Sequence, residues 1–289
     1  MAEGEVYRPP SEAGSLIIRV TIGCSWNRCT FCGTFRDRKF RLRAMEEIKE
    51  EAEHYYPYFK DAERIFLADG NALVIPTQKL IGIIRFLKSR YTKTQRIGIY
   101  GGPKDILRKP LQDLKELKNE GLGIIYLGLE SGSDEVLKRV RKGATAKDMI
   151  ECAKKVKEAG IQLSAIVIAG LGGKELTREH ATGTGRTLSA MDPEFIGVLT
   201  LMLVEGTELA DECQAGKFQA LDERGVLEEL KMMVDSIDAT SCVFRANHAS
   251  NYLSIGGTLP QDKEKILSAI DRILADDRLL LRPEWMRGL

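Results

Sequence analysis

Short, nearly continuous apolar runs alternate along the chain with longer stretches whose apolar positions recur every third or fourth residue. The first kind reads as strand and the second as amphipathic helix. SLIIRVTIG (Ser15–Gly23), RIFLADG (Arg64–Gly70), RIGIYGGP (Arg96–Pro103), GIIYLGLESG (Gly123–Gly132), QLSAIVIAGLGG (Gln162–Gly173) and FIGVLTLML (Phe195–Leu203) are the predicted strands. Between them, MEEIKEEAEHYYPYF (Met45–Phe59) opens with acidic residues, as a helix N-terminus prefers. PTQKLIGIIRFLKSRY (Pro76–Tyr91) is a second predicted helix. A third, Lys104–Gly121, is interrupted by Pro110 and closed by Gly121. A helical stretch also follows the fourth strand and ends with Gly143–Gly160.

Largely apolar strands joined by helical crossovers argue a parallel sheet covered on its outer face by helices. Six such units, where a closed barrel has eight, predict an α/β fold: a partial (β/α)6 barrel of the TIM type. Beyond about Glu205 the alternation fades, although Asp222–Ile237 and Gln261–Asp276 keep helical spacing. The expected organisation is an N-terminal segment (1–14), the barrel core (15–209) and a short, mainly helical C-terminal extension (210–289). Between the last two helices, Thr240–Pro260 is polar and aromatic and reads as a loop crossing the barrel. Its FRANHASNYL stretch can either read a substrate or satisfy backbone groups.

Composition narrows the functional classes. Hydrophobic residues at 43% of 289 suffice for a sizeable core. Forty-three basic against forty-two acidic residues give no electrostatic reason to expect nucleic acid. No apolar run has the form of a signal peptide or membrane span, so the cytoplasm is the expected compartment and no membrane partner is expected. In that reducing setting clustered thiols hold metal more often than disulfides. Cys152, Cys213 and Cys242 are scattered and read as small buried hydrophobes.

Cys24, Cys29 and Cys32 are different. They lie in IGCSWNRCTFCG with C-x4-C-x2-C spacing, directly after the first strand. Parallel barrels collect active groups at that strand edge. Four cysteines close all the irons of a cuboidal 4Fe–4S cluster, so three leave one iron open to a ligand that is not protein. A zinc site that borrows His54, His180 or Cys152 is the bland alternative.

From about Ser15 to Leu209 the chain resembles the radical S-adenosylmethionine superfamily. The usual spacing there is C-x3-C-x2-C with an aromatic residue before the last cysteine. This chain keeps the aromatic, Phe31, and has one extra residue between Cys24 and Cys29. GLESGSDEVLKRVRKGAT looks like the corresponding segment of the coproporphyrinogen-oxidase-like, methylthiotransferase-like and elongator-catalytic-subunit-like branches. The resemblance implies that the three cysteines hold a 4Fe–4S cluster whose open iron chelates S-adenosylmethionine. It places Asp69, Gly70 and Asn71, where the family often has Gly-Gly-Glu, at the amino group. Glu130 falls at the ribose, Lys142 at the methionine carboxylate, and Phe31, Gly170 and Met202 around adenine. Bland readings stand beside these: Asp69 as a turn residue, Lys142 as a basic helix terminus. The implied activity is reductive cleavage to a 5′-deoxyadenosyl radical, which abstracts hydrogen from a substrate. An electron donor such as flavodoxin or ferredoxin, an oxygen-sensitive protein and a small-molecule substrate are implied with it. A non-catalytic iron–sulfur or zinc protein that binds a partner is the second reading.

Overall fold

The computed structural model describes residues 4–276 and 281–288. The outermost parts of the expected terminal segments, 1–3, 277–280 and 289, lie outside the described residues. The chain divides into two compact units: Met1–Asn27, Thr34–Leu127 and Lys154–Leu163 make one, and Arg28–Gly33, Gly128–Ala153 and Ser164–Leu289 make the other.

The first unit carries β1 (Leu16–Arg19), β2 (Thr21–Ile22), β3 (Arg41–Leu42), α1 (Met45–Phe59), β4 (Arg64–Ala68) and α2 (Thr77–Arg90). It continues through β5 (Arg96–Tyr100), α3 (Pro103–Arg108), α4 (Leu111–Glu120) and most of β6 (Leu122–Glu130). Pro110 separates α3 from α4, and Gly121 ends α4 at φ +120°, a conformation costly for other residues. β1, β4, β5 and β6 pair in parallel, with Ile18, Phe66, Ile99 and Ile125 fully buried. The first predicted strand is broken. Val20 N–H donates to Ala68 O, after which Thr21 and Ile22 leave the main sheet and pair antiparallel with Leu42 and Arg41. That small ladder ties the base of the cysteine loop.

The second unit holds α5 (Asp134–Arg139), most of α6 (Ala146–Glu158) and β7 (Gln162–Ala169), then α7 (Gly173–Met191), β8 (Phe195–Thr200) and α8 (Glu208–Gln214). Its last elements are α9 (Glu223–Asp235), β9 (Cys242–Ala246), β10 (Ile255–Leu259) and α10 (Lys263–Ala275). The eight main strands follow the order β1-β4-β5-β6-β7-β8-β9-β10. The result is an α/β fold with a mostly parallel sheet, as the strand pattern requires.

The stretch Thr240–Pro260 corrects an expectation. It is a hairpin, not a crossing loop: β9 pairs parallel with β8, and β10 pairs antiparallel with β9. Cys242, Phe244 and Ala246 face inward while Val243 and Arg245 face out, a period-two pattern in a segment with no apolar run. The C-terminal region therefore adds two strands to its helices. The helix α7 has no clear sequence signature because GKELTREHATGTGRTLSAM is weakly apolar and carries two glycines, Gly183 and Gly185, in its interior. Those glycines serve close packing, since a Cβ at Gly185 would lie 2.8 Å from Met233 O of α9.

Candidate functional site

The cysteine loop begins where β2 ends. Gly23, at φ +79°, adopts a turn that places Cys24 beside the end of β4, and its N–H donates to Asp69 Oδ2 at 3.0 Å. A Cβ on Gly70 would lie 2.9 Å from Cys24 Cβ, so a glycine is what lets the loop approach β4. Asn27 lies at φ +41° and its amide donates to Phe35 O at 2.9 Å. Asn71 Nδ2 donates to Ser25 Oγ at 2.7 Å and to Asp105 Oδ2 at 2.6 Å, and Gly102 N–H donates to Asn71 Oδ1 at 2.8 Å.

These bonds define what ADGNAL does in its own unit. Asn71 spends its carbonyl and its amino group on bracing the loop and the turn after β5. Asp69 is fully buried; Oδ2 holds Gly23, and Oδ1 has no hydrogen-bond partner. Burial pushes the Asp69 carboxyl up from the ordinary carboxylate range, against the Gly23 N–H. Both side chains sit beneath the cysteine loop and support it.

In the second unit, Thr30 N–H donates to Val140 O at 3.1 Å and Leu209 N–H to Thr30 O at 3.0 Å. Cys32 N–H donates to Cys29 O at 3.3 Å, giving a tight turn between these two thiols. Phe31 packs on Val136, Val140, Leu171, Leu209 and Phe218, with Ile168 and Leu201 against the same cluster. Glu130 ends β6 at φ +62°, and its Oε1 accepts from Lys142 Nζ at 2.8 Å. Each side chain of that pair is 12% exposed, so the charges compensate each other at a partly open strand end. Gly170 ends β7 at φ +85°, where a Cβ would meet Leu201 Cβ at 3.6 Å. Met202 follows β8, half-buried.

Cys24, Cys29 and Cys32 form no disulfide and are half-buried; Cys152 and Cys242 are buried as expected, whereas Cys213, expected to be buried, is half-buried on α8. Burial pushes the Cys242 thiol up to about 12, as befits an inert core cysteine. Among the described residues, no three His, Cys, Asp or Glu side chains are already gathered tightly enough to enclose a metal ion. The donor set still fits a soft iron–sulfur group: three accessible thiols on one loop, and no carboxylate or imidazole in it. The candidate zinc partners are otherwise occupied. His180 is fully buried and bonds Ser131 Oγ and Ile168 O through its two nitrogens; His54 lies exposed on α1 against Tyr55.

Several functional supports are missed from sequence. Thr200 N–H donates to Ser250 Oγ at 3.1 Å and Thr200 Oγ1 to Asn251 Oδ1 at 2.8 Å, while Asn251 Nδ2 donates to Val198 O at 2.8 Å. Arg287 donates to Leu201 O at 2.7 Å, to Ser250 O at 2.6 Å and to the Tyr252 hydroxyl at 2.6 Å. FRANHASNYL therefore satisfies backbone around the end of β8. Glu229 of α9 is a further support, and helical spacing puts it in the buried Val226–Leu230–Met233 stripe. That position was a readable signal.

Residues 18–184 match the Radical SAM superfamily. An uncharacterized protein of Methanocaldococcus jannaschii is 24% identical over 281 residues, covering 94% of this chain and 79% of its own length. Among solved structures, methylornithine synthase is similar with a TM-score of 0.56 at 20% identity, covering 77% of this chain and 63% of that one. Coproporphyrinogen III oxidase from Escherichia coli gives 0.55 at 15% identity, covering 76% of this chain and 51% of that one. This chain spans less than two-thirds of either enzyme. Such identities speak for the fold alone, and enzymes with different names match it almost equally, so the comparison reaches the superfamily and no single branch.

Proposed function

The chain belongs to the Radical SAM superfamily and is a radical S-adenosylmethionine enzyme, and from that premise we propose that Cys24, Cys29 and Cys32 are its cluster ligands. When bound, a 4Fe–4S cluster supplies one-electron cleavage of S-adenosylmethionine to methionine and a 5′-deoxyadenosyl radical. The observation that carries the ligand assignment is that three half-buried thiols share one loop, while the half-buried Cys213 stands alone on α8 and Cys152 and Cys242 are sealed in the core.

The second unit supports a binding role for its own residues. Glu130 offers a carboxylate to the ribose hydroxyls, and Lys142 offers an ammonium to the methionine carboxylate. Each must give up part of its partner to do so. Phe31 presents an aromatic face from an apolar cluster, and Gly170 and the backbone at Met202 would flank a flat base there. Asp69 and Asn71 act as braces for the loop, with Gly70 giving it clearance. We keep a small molecule as substrate class, supported by the balanced charge of 43 basic and 42 acidic residues. A low-potential donor such as flavodoxin or ferredoxin is the proposed reductant.

The test is anaerobic reconstitution with iron and sulfide, followed by dithionite and S-adenosylmethionine. Methionine and 5′-deoxyadenosine are the expected products. A fully loaded protein that forms neither refutes the reading.

A further inference from the structure

We propose that Ser131, His180 and Glu229 form a buried positioning relay that holds the turns at Glu130 and Gly170 in the shape that binds S-adenosylmethionine. The inference rests on the reading of those two turns given above. None of the three is exposed to solvent, so none is a ligand itself.

The protons can be placed from the partners. Ile168 O can only accept, so the His180 Nε2 at 3.0 Å carries hydrogen. In the neutral ring Nδ1 is then an acceptor, to which Ser131 Oγ at 2.8 Å donates. Ser131 Oγ in turn accepts from Ser133 N–H at 3.0 Å. Glu229, reaching from α9, accepts from Gly170 N–H at 2.6 Å and from Thr177 Oγ1 at 2.7 Å. Its Oε1 also lies 3.6 Å from His180 Nε2. One carboxylate and one imidazole thus span the end of β6 and the end of β7, with α7 and α9 as their supports.

Two features set this apart from ordinary core polarity. A buried carboxylate is costly unless every acceptor is used, and an apolar residue at position 229 would match the rest of the α9 stripe. The network also terminates on backbone with positive φ: Gly170 directly at +85°, and Ser131 next to Glu130 at +62°. Left-handed backbone at a non-glycine residue persists only where its surroundings hold it. The turn is further fixed by Gly132 N–H, which donates to Thr184 Oγ1 of α7 at 2.9 Å. Ligand binding at Glu130 or Gly170 should therefore be felt at His180.

The test uses oxidised, cluster-loaded full chain, with S-adenosylmethionine as probe. Ser131→Ala and Glu229→Leu should each weaken its binding about tenfold or more, because each leaves a buried donor or acceptor unpaired at the turn. Glu229→Gln, which keeps an acceptor for Gly170 N–H, should stay within about threefold of wild type. Should Glu229→Leu fail to fold, histidine nitrogen NMR of the wild-type protein decides. Addition of the probe should shift the His180 ring nitrogens, which a purely structural role would leave in place. Wild-type affinity in folded Ser131→Ala, or unmoved His180 signals at saturating probe, overturns the relay. A wild-type protein that binds no probe at all refutes the binding reading beneath it instead.

Discussion

Gly128 shows how much a single residue can settle. It stands on β6 two positions before Glu130, and a Cβ there would overlap Glu130 Oε1 and lie 3.0 Å from Lys142 Nζ. The obstacle is the flexible end of a side chain, so Gly128→Ala should fold while turning the Glu130 carboxylate away. Weakened S-adenosylmethionine binding, about fivefold or more, with an unchanged melting temperature is the expected outcome by calorimetry. The same scale holds the clearest test of the ligand set. Cys24→Ala, Cys29→Ala and Cys32→Ala should each lose the cluster, read as iron content and as the paramagnetic signal of the reduced protein. Cys242→Ala should keep it, since that thiol is sealed in β9. At Asp69 and Asn71 the structure adds a bracing role that the sequence does not announce. A carboxylate and an amide after a strand invite a ligand, yet their bonds to Gly23, Ser25, Asp105 and Gly102 run into the protein.

Among the elements, the segment after α10 has a defined task. Arg287 keeps only 3% of its side chain exposed and joins the carbonyls of Leu201 and Ser250 to the Tyr252 hydroxyl, stacking on that ring at 4.2 Å. Arg287→Ala leaves these acceptors unpaired near the end of β8. It should lower unfolding free energy by about 2 kcal/mol, measured by urea titration. It should also loosen the backbone at Met202, seen as faster amide exchange there. The hairpin of β9 and β10 belongs to this same argument. CVFRA and the glycine-rich IGGTL carry little strand signature of their own, and become strand because β8 offers a ladder to β9 and β9 offers one to β10. Helix α7 is the complementary case, its small residues serving approach to α9 and to the Gly132 turn.

For the molecule as a whole, pH offers a test of how the second unit is stabilised. His248 is held neutral: burial pushes its pKa down, with the nearby Arg282 charge adding to the effect. Its Nδ1 accepts from Ser250 N–H at 3.1 Å, a bond that protonation of Nδ1 would destroy. Between the depressed folded pKa and the unfolded value of 6.5, the unfolded chain binds more protons. The contribution is therefore complete above pH 6.5 and fades as pH falls below it, by at most about 1.4 kcal/mol per pH unit. Wild type should lose melting temperature between about pH 7.5 and about pH 5.5, and His248→Gln should lose less. Much of the molecule was legible before any coordinates. Apolar runs and helical spacing are local properties, so the amino-acid order alone located all six early strands, the break at Pro110 and three thiols on one loop. Tertiary structure decided which polar side chains serve as braces and which stay available. Gly170 meets Glu229 across 59 positions and Leu201 meets Arg287 across 86. A hydrogen bond is satisfied by whatever partner folding brings within about 3 Å, and a linear chain does not record that proximity.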